Sequence, residues 1–116
     1  MKIVVLKFGG TSVGSIERIK NVSKIIISYI KKKFKVVVIS SAMSGETNKL
    51  IKLTKKISKN FTRSEYDTIL ASGEQVSCAL IAARLNELGY LSRSWLSWQV
   101  PILTKGSYSN SRIVKI

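Results

Sequence analysis

Ile3-Val4-Val5-Leu6-Lys7-Phe8-Gly9-Gly10-Thr11-Ser12-Val13-Gly14 reads as a strand that runs into a turn. Ile3 to Leu6 is too continuously aliphatic to alternate, which predicts a buried strand, and the glycine and hydroxyl residues after Phe8 break it. A helix should follow. Ser15 is the expected N-cap, and Ile16, Ile19, Val22, Ile26 and Ile30 recur at spacings of three and four. Glu17, Arg18, Lys20, Asn21, Lys24 and Lys31 fill the other face. Val36-Val37-Val38-Ile39 is then a second buried strand. Strand, helix, strand in that rhythm predicts a right-handed βαβ unit with a parallel sheet, hence an α/β fold.

Working outward, the second strand enters Ser40-Ser41-Ala42-Met43-Ser44-Gly45-Glu46-Thr47-Asn48, another small-residue turn at the same carboxyl edge of the sheet. Two such turns side by side make a crevice. Leu50, Leu53, Thr54 and Ile57 give helical spacing, with Lys49, Lys52, Lys56 and Lys59 opposite. Ser64, three residues before Asp67, predicts a capping-box start for a helix through Tyr66, Ile69 and Leu70. Ala71-Ser72-Gly73-Glu74-Gln75 reads as a third glycine turn, after which Val76, Ala79, Leu80 and Ala83 resume an apolar stripe that Gly89 stops. Tyr90 to Trp98 is expected to be a strand and its exit, and Val100 to Leu103 a short edge segment. Lys105 to Asn110 reads as a loop, and Arg112 to Ile116 as the start of a strand or helix. Trp95 and Trp98 are expected in the core or a subunit interface, and Cys78 buried and inert.

Counting removes much chemistry. A chain of 116 residues suits one domain rather than a multi-domain enzyme. With no histidine there is no Ser/His triad and no His-ligated metal, and one cysteine, Cys78, allows neither an intrachain disulfide nor a Cys-rich zinc site. The aliphatic runs fall far short of a membrane span, and the first meets Lys7 too soon for a secretion signal, so a cytoplasmic protein is expected. Twenty Lys and Arg against six Asp and Glu give a net charge of +14, which attracts nucleotides, acidic metabolites and nucleic acid alike.

The turn after the first strand is where anion chemistry concentrates. Its glycines let bare backbone approach a ligand, its amides and the next helix N-terminus form a cradle, and Lys7 adds a point charge. It matches neither a P-loop nor the GxGxxG fingerprint. Read from the residues alone, it is either a phosphate site or a structural βα turn whose glycines serve positive φ. Glu74 is similarly open: an ammonium ligand, or an acid in the first turn of a helix worth ~0.3–1 kcal/mol through the macrodipole.

Lys7-Phe8-Gly9-Gly10-Thr11-Ser12-Val13-Gly14 resembles the opening signature of the aspartokinases, members of the amino-acid kinase family. Ser40 to Asn48 is similar to that family's second loop, Ala71 to Gln75 to its third, and Arg93 to Thr104 to the segment that follows. The four matches keep their order and span essentially the whole chain. The resemblance implies a parallel-sheet sandwich of the amino-acid kinase, carbamate kinase-like, type. It implies that residues 1–116 are the amino-terminal part of that kinase domain, truncated, with no regulatory ACT domain. It further implies ATP-dependent phosphorylation of the side-chain carboxylate of L-aspartate to 4-phospho-L-aspartate, the first step towards lysine, threonine, methionine and diaminopimelate.

By the same resemblance, Lys7, Phe8, Gly9, Gly10 and Ser41 would bind ATP, with Lys7 catalytic. Thr11, Ser12, Thr47 and Glu74 would bind aspartate. Mg2+ would arrive on the nucleotide, with no protein metal site. The chemistry agrees, because a carboxylate nucleophile with a pKa of ~3.9 is ionised at neutral pH and needs no general base. Near the end Ser97, Lys105, Tyr108 and Ser111 depart from residues common in the family, which opens two alternatives: an inactive remnant, or the structural half of a split kinase that needs a complementary chain or a homodimer. A third class, a basic nucleic-acid-binding domain using Lys31 to Lys35 and the Lys49 to Lys59 face, lacks aromatic-interleaved basic strands and is least favoured. No membrane partner is expected.

Overall fold

The computed structural model describes residues 1–116. β1 (Ile3–Phe8) and β2 (Lys35–Ser40) pair in parallel, from Ile3 opposite Lys35 to Phe8 opposite Ser40. α1 (Ile16–Lys31) connects them. Its N-cap is Ser15, whose hydroxyl accepts the Arg18 N–H at 3.2 Å, a contact typically worth about 1 kcal/mol. The apolar stripe of α1 is buried at Ile19, Val22 and Ile26, while Ile16 at its first turn stays half exposed.

α2 (Glu46–Ile57) follows the second turn, and α3 (Arg63–Glu87) packs against α1, α2 and β2. One core joins Val13, Ile19, Val22, Ile26, Ile81 and Leu85, with Leu6, Phe8, Val36 and Val38 of the sheet packed against it. Val13 matters for the site. It lies in the glycine turn yet is fully buried, so it pins that turn to the core. The opposite face of the sheet is bare, with Ile3 and Val5 of β1 and Val37 and Ile39 of β2 between 46% and 66% exposed. The continuous aliphatic runs suggested burial on both sides, and this chain supplies helices for only one.

Several other expectations change. Ala71 to Gln75 is no turn but the interior of α3, a single 25-residue helix. Gly73 is buried there, and a Cβ on it would stand 3.2 Å from the Ala42 Cβ and 3.5 Å from Leu50 Cδ1. The glycine therefore serves close packing of α3 on the second turn, not a bend. Ser64 does not cap the helix, which starts at Arg63 after Thr62 with no side-chain cap; Asp67 instead accepts the Ser109 N–H and hydroxyl at 2.8 and 2.7 Å. Tyr90 to Leu96 is not a strand, because no neighbour pairs with it.

Gly89 does stop α3. At φ +82 it lets the Tyr90 N–H reach the Leu85 carbonyl and its own N–H reach Asn86, a Schellman end. The chain finishes in a hairpin of β3 (Leu103–Lys105) and β4 (Arg112–Lys115), all of it exposed. Trp95 and Trp98 are 54% and 74% exposed, so neither is a core residue, and the Arg93 guanidinium stacks 4.3 Å from the Trp95 ring.

Candidate active-site rim

Parallel pairing carries the ends of β1 and β2 to one rim of the sheet, and the ladder continues past it with the Ser41 N–H on the Phe8 carbonyl at 3.1 Å. The first turn is tightened by the Ser12 N–H on the Gly9 carbonyl at 3.0 Å. It leans on the second turn. A Cβ on Gly10 would lie 3.2 Å from the Ala42 carbonyl oxygen, and one on Gly14 would lie 3.2 Å from the Ser44 Cβ. Ala42, itself buried, thus has Gly10 on one side and Gly73 of α3 on the other.

Gly9 is different. Its φ is not positive, and a Cβ built on it would meet nothing within 4 Å. Neither backbone conformation nor packing inside this chain calls for glycine at that position. Lys7 is exposed, on the bare face of β1, in register with Ile39. It takes no part in the ion pairs, which are Glu17–Lys20 and Glu46–Lys49. Phe8 packs its side chain against the core, so it offers the rim only backbone.

Thr11 is exposed and Ser12 half-buried. Thr11, Gly14, Ser15, Arg18 and Ser44 line a small polar recess of about 300 Å³ at the start of α1. Thr47 lies in the first turn of α2, behind Gly45, an N-cap at φ +83 that has no side chain to cap the helix. The positive end of its dipole favours an anion, and the first turn already carries Glu46, which pairs with Lys49 at 3.7 Å. Glu74 is half-buried on α3, one turn before Cys78. Burial first, and the Glu74 carboxylate second, push the Cys78 thiol above its ordinary pKa, against a lowering hydrogen bond from the Ser40 backbone. This part of α3 thus lies beside the end of β2.

The structure brings the two turns and the middle of α3 together at Gly10, Ala42 and Gly73, and no side-chain hydrogen bond or ion pair joins Lys7, Thr47 and Glu74. Sequence reasoning passed over Ala42, Ser44 and Ser77. Gly73 and Ser77 are small residues four apart ahead of Ile81, a helical stripe visible only once Ala71 to Gln75 is read as helix.

Comparisons with known proteins place the chain in a family. A family model, the amino acid kinase family, matches residues 2–116. The aspartokinase of Geobacillus stearothermophilus is 47% identical over all of this chain, and the aspartate kinase of Pseudomonas putida 45%. The chain spans 28% of the length of either relative. A crystal structure of aspartate kinase from Synechocystis superposes with a TM-score of 0.71 at 44% identity, covering 74% of this chain and 15% of that one.

Proposed function

Because this chain belongs to the amino acid kinase family, we propose that its rim serves ATP-dependent phosphorylation of the aspartate side-chain carboxylate. The observation that carries the reading is Gly9: a glycine that neither φ nor packing requires, beside an unpaired lysine. Empty space where a Cβ would sit is what a phosphate needs to reach backbone amides. Lys7 and the amides of Gly9 and Gly10 would hold the phosphates, with Ser41 on the nucleotide side. Thr11, Ser12 and Thr47 would meet the aspartate carboxylates through hydroxyls and the uncapped start of α2. Glu74 would take the ammonium.

Mg2+, carried by the nucleotide, would neutralise charge on the phosphates. The work left to the protein is to align two anions and to stabilise charge on the transferring phosphoryl group, which a fixed ammonium and oriented amides do without a proton-transfer partner.

Titration with MgATP tests the reading. Gly9→Ala should leave the unfolding midpoint unchanged and weaken nucleotide binding about tenfold, and Lys7→Ala about ten- to a hundredfold, the effect of losing a charge-assisted bond. Parent-like affinity in Gly9→Ala would show that the space beside it is not a ligand's.

A second reading concerns partners. Parallel sheets are covered on both faces in stable α/β proteins, whereas Ile3, Val5, Val37 and Ile39 are bare here. Turnover would then require further protein surface over that face. A hydroxamate assay with aspartate and ATP, run on the chain alone and with candidate partners, separates an independent enzyme from half of a split one.

A further inference from the structure

Ser77 stands out among the groups at this rim because it is fully buried, lies on α3 and reaches a different element. A serine inside a helix ordinarily donates to a carbonyl one turn back, and Glu74 O is available at 3.0 Å. The Ser41 carbonyl is closer, at 2.6 Å. No backbone amide donates to Ser41 O, since the ladder ends there, so its hydrogen-bond donors are hydroxyls: Ser77, and Ser40 at 3.1 Å. The Ser40 hydroxyl also lies 3.3 Å from Ser77 Oγ. A planar trans peptide points its C=O and N–H in opposite directions. Drawing Ser41 O towards α3 therefore turns the Ala42 N–H away from it, and no backbone carbonyl accepts that N–H.

We propose that Ser77 is a positioning residue: its hydroxyl sets the Ser41–Ala42 peptide, and so holds the nucleotide turn at a fixed spacing from Glu74 on the same helix. This rests on the function proposed above. It adds that the two substrate subsites are joined by one buried hydroxyl rather than placed independently, with Gly73 and Ala42 supplying the close contact that lets Ser77 reach.

Ser23 provides a matched control. It is equally buried, but its hydroxyl bonds Ile19 O at 3.0 Å within its own helix. Amide exchange is to be followed at Ser41 and Glu46, the hydrogen-bonded amides that bracket the turn, in Ser77→Ala and Ser23→Ala, together with MgATP affinity. Ser77→Ala should exchange about tenfold faster at those two amides than Ser23→Ala and bind MgATP about tenfold more weakly, the loss of one buried hydrogen bond. Equal exchange in the two variants would overturn the tie. Faster exchange with unchanged affinity would overturn its role at the subsite. If the parent itself binds no MgATP, the functional reading fails and Ser77 is left as a structural tie, which the exchange contrast still tests.

Discussion

Residues 1–89 and residues 90–116 have similar apolar content and opposite uses for it. In the first region Val13, Ile19, Val22, Ile26, Ile81 and Leu85 close around one another, and the turns of the rim are fastened to that cluster. In the second, Leu91, Trp98, Ile113, Val114 and Ile116 are all more than 60% exposed. The terminal hairpin touches no other strand or helix beyond its own pair closely enough to count as packing, and its polar tether to α3 is Asp67 with Ser109. Between the regions lies a cleft of about 830 Å³, walled by the free edge of β2 with Ile81 and Leu85 on one side and Leu91 to Ser97 on the other. Strand-forming residues make a hairpin wherever they pair, whereas a core needs facing surfaces.

The comparison breaks first, if it breaks, on stability. Ile26→Ala should cost about 2–5 kcal/mol, the transfer term plus a cavity, while Ile113→Ala at 61% exposure should stay within about 0.5 kcal/mol. Urea denaturation of the two variants measures the contrast, and similar losses would mean the tail belongs to the core.

Asp67→Ala probes the tether. Removing an acceptor for two exposed hydrogen bonds should change global stability by less than about 1 kcal/mol, yet trypsin should cleave after Lys105 and Arg112 faster than in the parent. Unchanged cleavage would show that the hairpin is held by something else.

The smallest effect concerns Cys78, which lines the cleft. Its thiol is pushed up mainly by burial and secondarily by Glu74, so the thiolate is scarcer in the folded chain than in a free cysteine at the same pH. Alkylation by iodoacetamide at pH 8 should be slower than for the unfolded chain. Glu74→Gln should quicken it modestly, since the larger cause remains. The raised pKa also means that the stability this group contributes is present below its unfolded pKa and is lost as pH rises past the folded one. No response to Glu74→Gln would place that carboxylate away from Cys78 and from the end of β2.

Much of the rim was legible in advance. The Ser15 cap and the Gly89 stop follow from cap chemistry decided by residues within a few positions of one another, and the βαβ unit with its two turns on one edge follows from the order of elements and the right-handed crossover rule. Gly73 was misread for an instructive reason. A glycine flanked by Ala71, Ser72 and Gln75 looks like a turn, and only the presence of Ala42 3.2 Å from where its Cβ would be shows why a helix keeps it. The strand expected at Tyr90 to Trp98 failed the same way, since extended residues become a strand only when an edge lies within hydrogen-bonding reach.

By itself, then, the sequence determined the order of elements, the placement of both turns at one edge, and the family to which the motifs point. Tertiary structure alone decided that α3 runs unbroken through Gly73, that Ser77 bridges to Ser41, and that one face of the sheet is left uncovered. The division has a physical cause: caps and apolar stripes act over one or two helical turns, whereas a close approach between residues some thirty positions apart is specified by no local pattern and exists only once the core has formed.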